Sequence, residues 1–188
     1  MITVVSGLPR SGTSLMMQMI SAGGMPVLTD GLRSADDNNP KGYLEWEAAK
    51  SLPKNPELIA GAEGKVVKVI SVLLLSLPKG YEYRVVFMRR PLEEIVASQD
   101  KMLQRLGKEV PPASNESVFA AFQQHLVKVK TWLAQRSDVS VLYVDYSAVL
   151  QNPREEASRI SEFLGQSFDV DAMAKQVEQS LHREKAKT

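Results

Sequence analysis

The segment Gly7-Leu8-Pro9-Arg10-Ser11-Gly12-Thr13-Ser14 constrains this chain more than any other part of its sequence. Ahead of it, Ile2 to Ser6 is a short β-branched run; behind it, Leu15, Met16, Met19 and Ile20 recur at helical spacing. The local order is therefore strand, glycine-rich turn, helix, with a stop at Gly23-Gly24. Glycines let the chain fold tightly at such a turn, so that successive amides and the helix N-terminus converge on an anion. A turn of purely structural use is the simpler alternative, but the strand and helix on either side favour the anion site.

The rest of the sequence continues the alternation. Val66 to Ile70, Tyr83 to Met88 and Val139 to Val144 read as further strands, and the first two lack strict alternation, as buried parallel strands do. Pro91 opens a helix marked by Ile95, Val96, Gln99, Met102, Leu103 and Leu106. Val118, Phe119, Phe122, Leu126, Val129 and Trp132 mark a longer one, with Trp132 placed in the core. Asn152-Pro153 starts another, with Ala157, Ile160 and Leu164 inward and Gly165 as its stop. Thr29 to Lys41, rich in Asp, Asn, Gly and Pro, reads as a surface loop, Gly42 to Leu52 as a second helix, and the tail from Asp169 as helical. With 44% apolar and 24% charged content in 188 residues, the expectation is one domain over residues 1–188. Its class is α/β, a three-layer sandwich with a mostly parallel central sheet, P-loop NTPase-like.

Charge and cysteine content exclude several functions. Lys+Arg 23 against Asp+Glu 22 gives a net +1, which argues against a nucleic-acid coat or a polybasic membrane anchor. An anionic ligand has to be met locally. No cysteine and only His125 and His182 leave no Cys-based zinc site, disulfide framework or Cys nucleophile, and a metal site would rest on carboxylates. No metal is expected. The longest nearly apolar stretch, Val69 to Leu77, carries two serines and falls short of the ~20 residues of a membrane span. MITVV lacks the basic region of a signal peptide, so a soluble, cytoplasmic protein is expected.

The charged residues near the strand ends carry the chemistry. The glycine-rich turn has the spacing of a P-loop, but Thr13 stands where a triphosphate-binding lysine belongs, and the cation is Arg10. Lys68, inside Val66-Val67-Lys68-Val69-Ile70, is expensive to bury unpaired. It either snorkels from an edge strand or sits at the strand's carboxyl end beside the anion loop. Arg89-Arg90-Pro91 with Ser98 two turns on can hold a second phosphate, or can be a solvated helix start balanced by Glu93 and Glu94. Val141 to Asp145 mimics the apolar strand ending in a magnesium-binding Asp of P-loop NTPases, which keeps a kinase in play. His125 has no partner in sequence and reads as surface or rim.

Together these parts resemble the sulfotransferases that use 3′-phosphoadenosine 5′-phosphosulfate (PAPS), over most of the chain and in order. The 5′-phosphosulfate loop of that family is similar to Gly7 to Ser14, in the Arg-Ser-Gly-Thr version of bacterial and tyrosylprotein members. The resemblance makes Arg10, Ser11, Gly12, Thr13 and Ser14 donor-binding residues. It assigns the 3′-phosphate to Arg90 and Ser98, with Arg89 as an alternative, and adenine contact to Tyr146 in the segment VLYVDYSAVLQNP. It also assigns a catalytic lysine to Lys68. Cytosolic members place a histidine base two residues further on, where this chain has Ile70. Other branches use a glutamate after the first helix, which points to Glu45 as the base, with Glu47, Asp30, Asp36 and Asp37 open. The implied reaction is in-line sulfuryl transfer from PAPS to a hydroxyl or amine of a small molecule or peptide. Arg183 and Lys185 in the basic tail can close over the nucleotide or simply be solvated. A P-loop kinase and a non-catalytic nucleotide-binding module are the competing expectations.

Overall fold

The computed structural model describes residues 1–32, 42–105, 107 and 115–177. Five parallel strands, β1 (Ile2–Gly7), β2 (Val27–Leu28), β3 (Val66–Lys68), β4 (Tyr83–Arg89) and β5 (Val139–Asp145), form one sheet in the order β2-β3-β1-β4-β5. The helices are α1 (Thr13–Ala22), α2 (Ser71–Leu74), α3 (Leu92–Arg105), α4 (Asn115–Ala134), α5 (Tyr146–Gln151), α6 (Pro153–Leu164) and α7 (Val170–Ala174), with 3-10 helices at Glu47–Ser51 and Pro56–Ala62.

Side chains alternate across the sheet and define two cores. Val5 of β1 and Val86 and Met88 of β4 face a cluster with Met16, Met19, Val149, Ile160 and Met173, contributed by α1, α5, α6 and α7. Ile2, Val4, Val85 and Phe87 face the other way, onto Leu52, Ile59, Leu74, Val129 and Leu133 from the 3-10 helices, α2 and α4. The result is the three-layer α/β arrangement expected from the alternation. Because the chain leaves β1 toward β2 and β3 and later crosses to β4, a crevice opens beyond the carboxyl end of β1, where such sheets bind ligands. Val5 pairs with Lys68 and Gly7 with Met88, so Lys68 and the Arg89-Arg90 pair flank the glycine-rich turn.

Two expectations are corrected. Residues 42–52 are not a helix: 42–46 run outside regular structure, with Gly42 at φ 85° and Leu44 at φ 48°, and only Glu47–Ser51 winds as a 3-10 helix. Helical backbone cannot pass through those positive φ values. The strand at Val66 stops at Lys68, because Ile70 already precedes the first turn of α2, and it lies inside the sheet between β2 and β1, so Lys68 is no edge-strand lysine. His125 is partly exposed on α4, in keeping with a rim position, with Nε2 2.9 Å from Ser71 Oγ at the start of α2; burial, then the Lys128 charge, lower its pKa. Trp132 is partly buried against the second core, as expected.

The end of the sheet away from the crevice is tied by Arg136. Its guanidinium bonds Asp138 Oδ1 at 2.6 Å, the Leu77 carbonyl at 2.9 Å and the Pro78 carbonyl at 3.0 Å, and lies 4.8 Å from the Trp132 ring. Hydrogen bonding to Arg136 is the main reason that the Asp138 pKa is lowered. A carboxylate with a depressed folded-state pKa stabilises the fold above its unfolded pKa, and that contribution is lost as pH falls through the lowered value. Arg136→Met is expected to cost about 2–3 kcal/mol at neutral pH, from the charged hydrogen bonds lost. In urea unfolding compared across pH, the gap between wild type and variant should narrow below about pH 4; a gap that stays constant would remove Asp138 from the clamp.

Candidate active site

The turn after β1 is shaped by backbone conformations that few side chains permit. Gly12, at φ 97°, precedes α1, and a Cβ there would lie 2.5 Å from Tyr146 Cδ2. Arg10 holds φ 68°, a left-handed conformation uncommon for a residue with a side chain and typical of strained functional loops. Its Nε donates to Ser98 Oγ on α3 at 3.0 Å, while its carbonyl accepts from Arg90 at 3.1 Å. The loop is thus braced from both directions against the β4–α3 junction. The α1 N-terminus carries no side-chain cap and no acidic residue in its first turn, so its amides and dipole face the crevice unopposed by charge. Ser11 Oγ is buried with no hydrogen-bond partner among the described residues, an expensive state unless a ligand engages it.

Arg90 is fixed from three sides. Its side chain, 6% exposed, bonds Glu94 at 2.9 Å and the Arg10 carbonyl, and its guanidinium lies 4.6 Å from the centre of the Tyr146 ring. Burial raises the Tyr146 pKa and Arg90 opposes this, so the phenol is neutral at ordinary pH. Arg89 points elsewhere: it is about half exposed and makes a bidentate pair with Asp145 at 2.8 and 2.7 Å.

Lys68 reaches from the end of β3 into the same crevice. Its side chain is 5% exposed, and Nζ donates to Ser14 Oγ at 3.1 Å, the Tyr43 carbonyl at 3.4 Å and Glu45 Oε1 at 2.9 Å. These groups line one cavity of about 390 Å³, together with Arg10, Gly12, Thr13, Arg90, Ser98 and Tyr146. Trp46, Ile70, Leu73 and Met102 give it an apolar portion. Among the described residues no group of His, Cys, Asp or Glu is arranged to hold a metal ion.

Residues 2–187 match the family model described as a sulfotransferase domain. The chain belongs to the sulfotransferase family. It is similar to mouse Sulfotransferase 1A1, with 27% identity over 183 residues, 90% of this chain and 62% of the relative; it therefore spans less than two thirds of that protein's length. Its fold is that of sulfotransferase STF1 from Mycobacterium tuberculosis H37Rv (TM-score 0.59, 14% identity, 98% of this chain and 72% of that one). It also matches the sulfotransferase domain from the curacin biosynthetic pathway (TM-score 0.53, 16% identity, 94% of this chain and 77% of that one).

The sulfotransferase family implies PAPS as donor, and the residues here suit it: an uncapped helix N-terminus and three cations meet at one cavity, and the buried Ser11 hydroxyl in the same turn has no hydrogen-bond partner among the described residues. Of the residues proposed from sequence, Arg10, Gly12, Thr13, Ser14, Glu45, Lys68, Arg90, Ser98 and Tyr146 line it, whereas Ser11 is buried and does not. Glu47 also lines it but bonds Lys50 at 2.7 Å. Asp30 does not line it, and both its oxygens accept backbone amides. Asp36, Asp37, Arg183 and Lys185 lie outside the described residues. Sequence reasoning missed Glu94, which reads as a solvated first-turn residue but is buried against Arg90, and Gln18, a polar residue in the apolar α1 run that bonds the Gly42 carbonyl at 2.8 Å.

Gly12→Ala should destabilise the chain by about 1–2 kcal/mol from the left-handed backbone alone, and further because the Tyr146 ring must move off Arg90. Measured by chemical denaturation, the penalty should be smaller in a Tyr146→Ala background; equal penalties would mean that the ring contact carries no weight.

Proposed function

We propose that this chain is a PAPS-dependent sulfotransferase that moves a sulfuryl group to a hydroxyl, or less readily an amine, of a small molecule or peptide. The observation that carries the reading is the convergence of Arg10, Lys68 and Arg90 on one cavity with Glu45 held against Lys68. When bound, PAPS supplies the sulfuryl group, whose S–O bond to the 5′-phosphate breaks as the acceptor oxygen bonds sulfur.

By analogy with phosphoryl transfer, negative charge grows on the equatorial and leaving oxygens, so cations and amides fixed in advance stabilise the transition state. Arg10, Lys68 and the amides of Ser11, Gly12, Thr13 and Ser14 fill that role at the phosphosulfate end. Arg90 and Ser98 select the 3′-phosphate, and Tyr146 presents its ring to the adenine. Glu45 accepts the acceptor's proton, in place of the histidine whose position Ile70 occupies. Lys68 touches both Ser14 and Glu45, which sets the donor-side cation and the acceptor-side base one hydrogen bond apart. Nothing in the cavity favours a magnesium-dependent kinase: Asp145 is engaged by Arg89 and does not line it.

Thermal-shift titration is expected to show strong stabilisation by 3′,5′-adenosine bisphosphate and little by AMP or Mg-ATP; preferential, magnesium-dependent stabilisation by ATP would overturn the proposal. With the best substrate from a panel of phenols, alcohols and amines, Glu45→Gln should lower turnover by roughly 10²–10⁴-fold. Lys68→Ala should lower it as well, and equally low rates in wild type and Lys68→Ala across the whole panel would leave only a binding module.

A further inference from the structure

Glu45 sits on a backbone strap, residues 42–47, that passes over the ends of β2 and β3. Outside regular structure, a chain does not present a carboxylate accurately unless something else fixes it. Here the fixing groups come from the two residues that follow β2. Thr29 Oγ1 donates to the Glu45 carbonyl at 2.7 Å, and Asp30 Oδ2 accepts the Glu47 amide at 2.6 Å, so the backbone is pinned at Glu45 and again just beyond it. The pins are themselves fixed: Thr29 Oγ1 accepts the Gly31 amide at 3.3 Å, and Asp30 Oδ1 accepts the Leu32 amide at 3.2 Å. The front of the strap is held by Gln18 on the Gly42 carbonyl. Between the anchors, Leu44 is kept at φ 48°, a conformation that a bulky residue adopts only when its surroundings impose it.

Sheet register explains why these two residues do the holding. Val27 pairs with Val66 and Leu28 with Val67, so the next step along both strands brings Thr29 level with Lys68. The two-residue strand β2 thereby delivers the strap's anchor beside the cation that the strap's carboxylate meets.

We propose that Thr29 and Asp30 are positioning residues for sulfuryl transfer, fixing the strap so that the Glu45 carboxylate is presented to Lys68 and the acceptor. The inference rests on the reading of Glu45 as the base. It gives Asp30, one of the candidate bases in the sequence, a different task, because both its oxygens are spent on backbone amides.

The test compares Thr29→Val, which keeps shape but removes the hydroxyl, with Thr29→Ser, which keeps the hydroxyl, and adds Asp30→Ala. Using PAPS and the best acceptor of the panel, Thr29→Val and Asp30→Ala should lower kcat by about 10–100-fold, the scale of a misplaced reacting group. Binding of 3′,5′-adenosine bisphosphate should stay within about twofold of wild type, because uniform donor binding is untouched. Thr29→Ser should restore kcat. In a Glu45→Gln background Thr29→Val should cause no further loss, as expected for residues acting through one group. An undiminished kcat in Thr29→Val, an equal loss in the Glu45→Gln background, or a parallel loss of bisphosphate affinity would overturn the positioning role. Full activity of Glu45→Gln would instead overturn the reading of the base. Hydrogen exchange of the 42–47 segment gives a readout without turnover: it should be at least about tenfold faster in Thr29→Val and Asp30→Ala, and unchanged protection there would sink the proposal.

Discussion

A lysine ammonium nearly sealed from solvent at the end of an interior strand has to be answered by the protein around it, because an unpaired buried charge is prohibitively expensive. Lys68 is answered from two directions. Ser14 belongs to the first turn of α1, while the Tyr43 carbonyl and Glu45 belong to the irregular segment 42–46. The ammonium therefore joins three stretches of chain far apart in sequence, and the crevice takes its form around that junction. Removing any one partner leaves the others to satisfy a charge that water reaches poorly. The same logic fits a net charge of only +1 with the proposed polyanionic donor: Lys68 faces Glu45, Arg90 faces Glu94 and Lys50 faces Glu47. The field is local, not global.

The arginines extend this junction along the sheet edge. Arg10 accepts an unfavourable backbone conformation because its side chain and its carbonyl are both engaged, the first by Ser98 and the second by Arg90. Arg90 in turn is fixed between Glu94 and the Tyr146 ring, whose approach to Gly12 is close enough to exclude any side chain there. Groups held this way need little rearrangement when charge develops between them, which is the physical content of electrostatic preorganisation. The Arg136 clamp lies at the other end of the same strands, so it and the network around the crevice are separated by the length of the sheet.

What could be read from the sequence was what is local in the chain. The strand, turn and helix around Gly7 to Ser14 follow from β-branching, glycine and helical spacing, and the structure has them at Ile2–Gly7 and Thr13–Ala22. Arg90 and Ser98 stand out in the sequence at a strand-to-helix junction, Tyr146 only through the resemblance, and all three line the cavity. The strap reads as a helix because its apolar and charged residues fit an amphipathic pattern, whereas its conformation is set by hydrogen bonds donated by Gln18 and Thr29 and one accepted by Asp30, none of them a sequence neighbour. β2 is too short to show any periodicity, and the burial of Glu94 against Arg90, one turn before it, comes from packing that spacing along one helix does not reveal. His125 likewise found its partner, Ser71, only through the packing of α4 on α2.

On the proposed reading, the Lys68–Glu45 contact also links the two halves of the reaction. A cation shared between Ser14 and Glu45 lies where a donor's phosphosulfate oxygens would compete for it. A second anion beside the same cation repels the first and competes for the ammonium's N–H donors, so the net attraction holding the first is reduced. As the donor draws on Lys68, the hold on the Glu45 oxygen weakens, and that oxygen becomes more available to an acceptor proton. Before donor binding the same oxygen is occupied by the ammonium. The base is thus engaged in the absence of the donor and freed in its presence, and the coupling needs no movement of the strap, because competition for a single buried charge is sufficient.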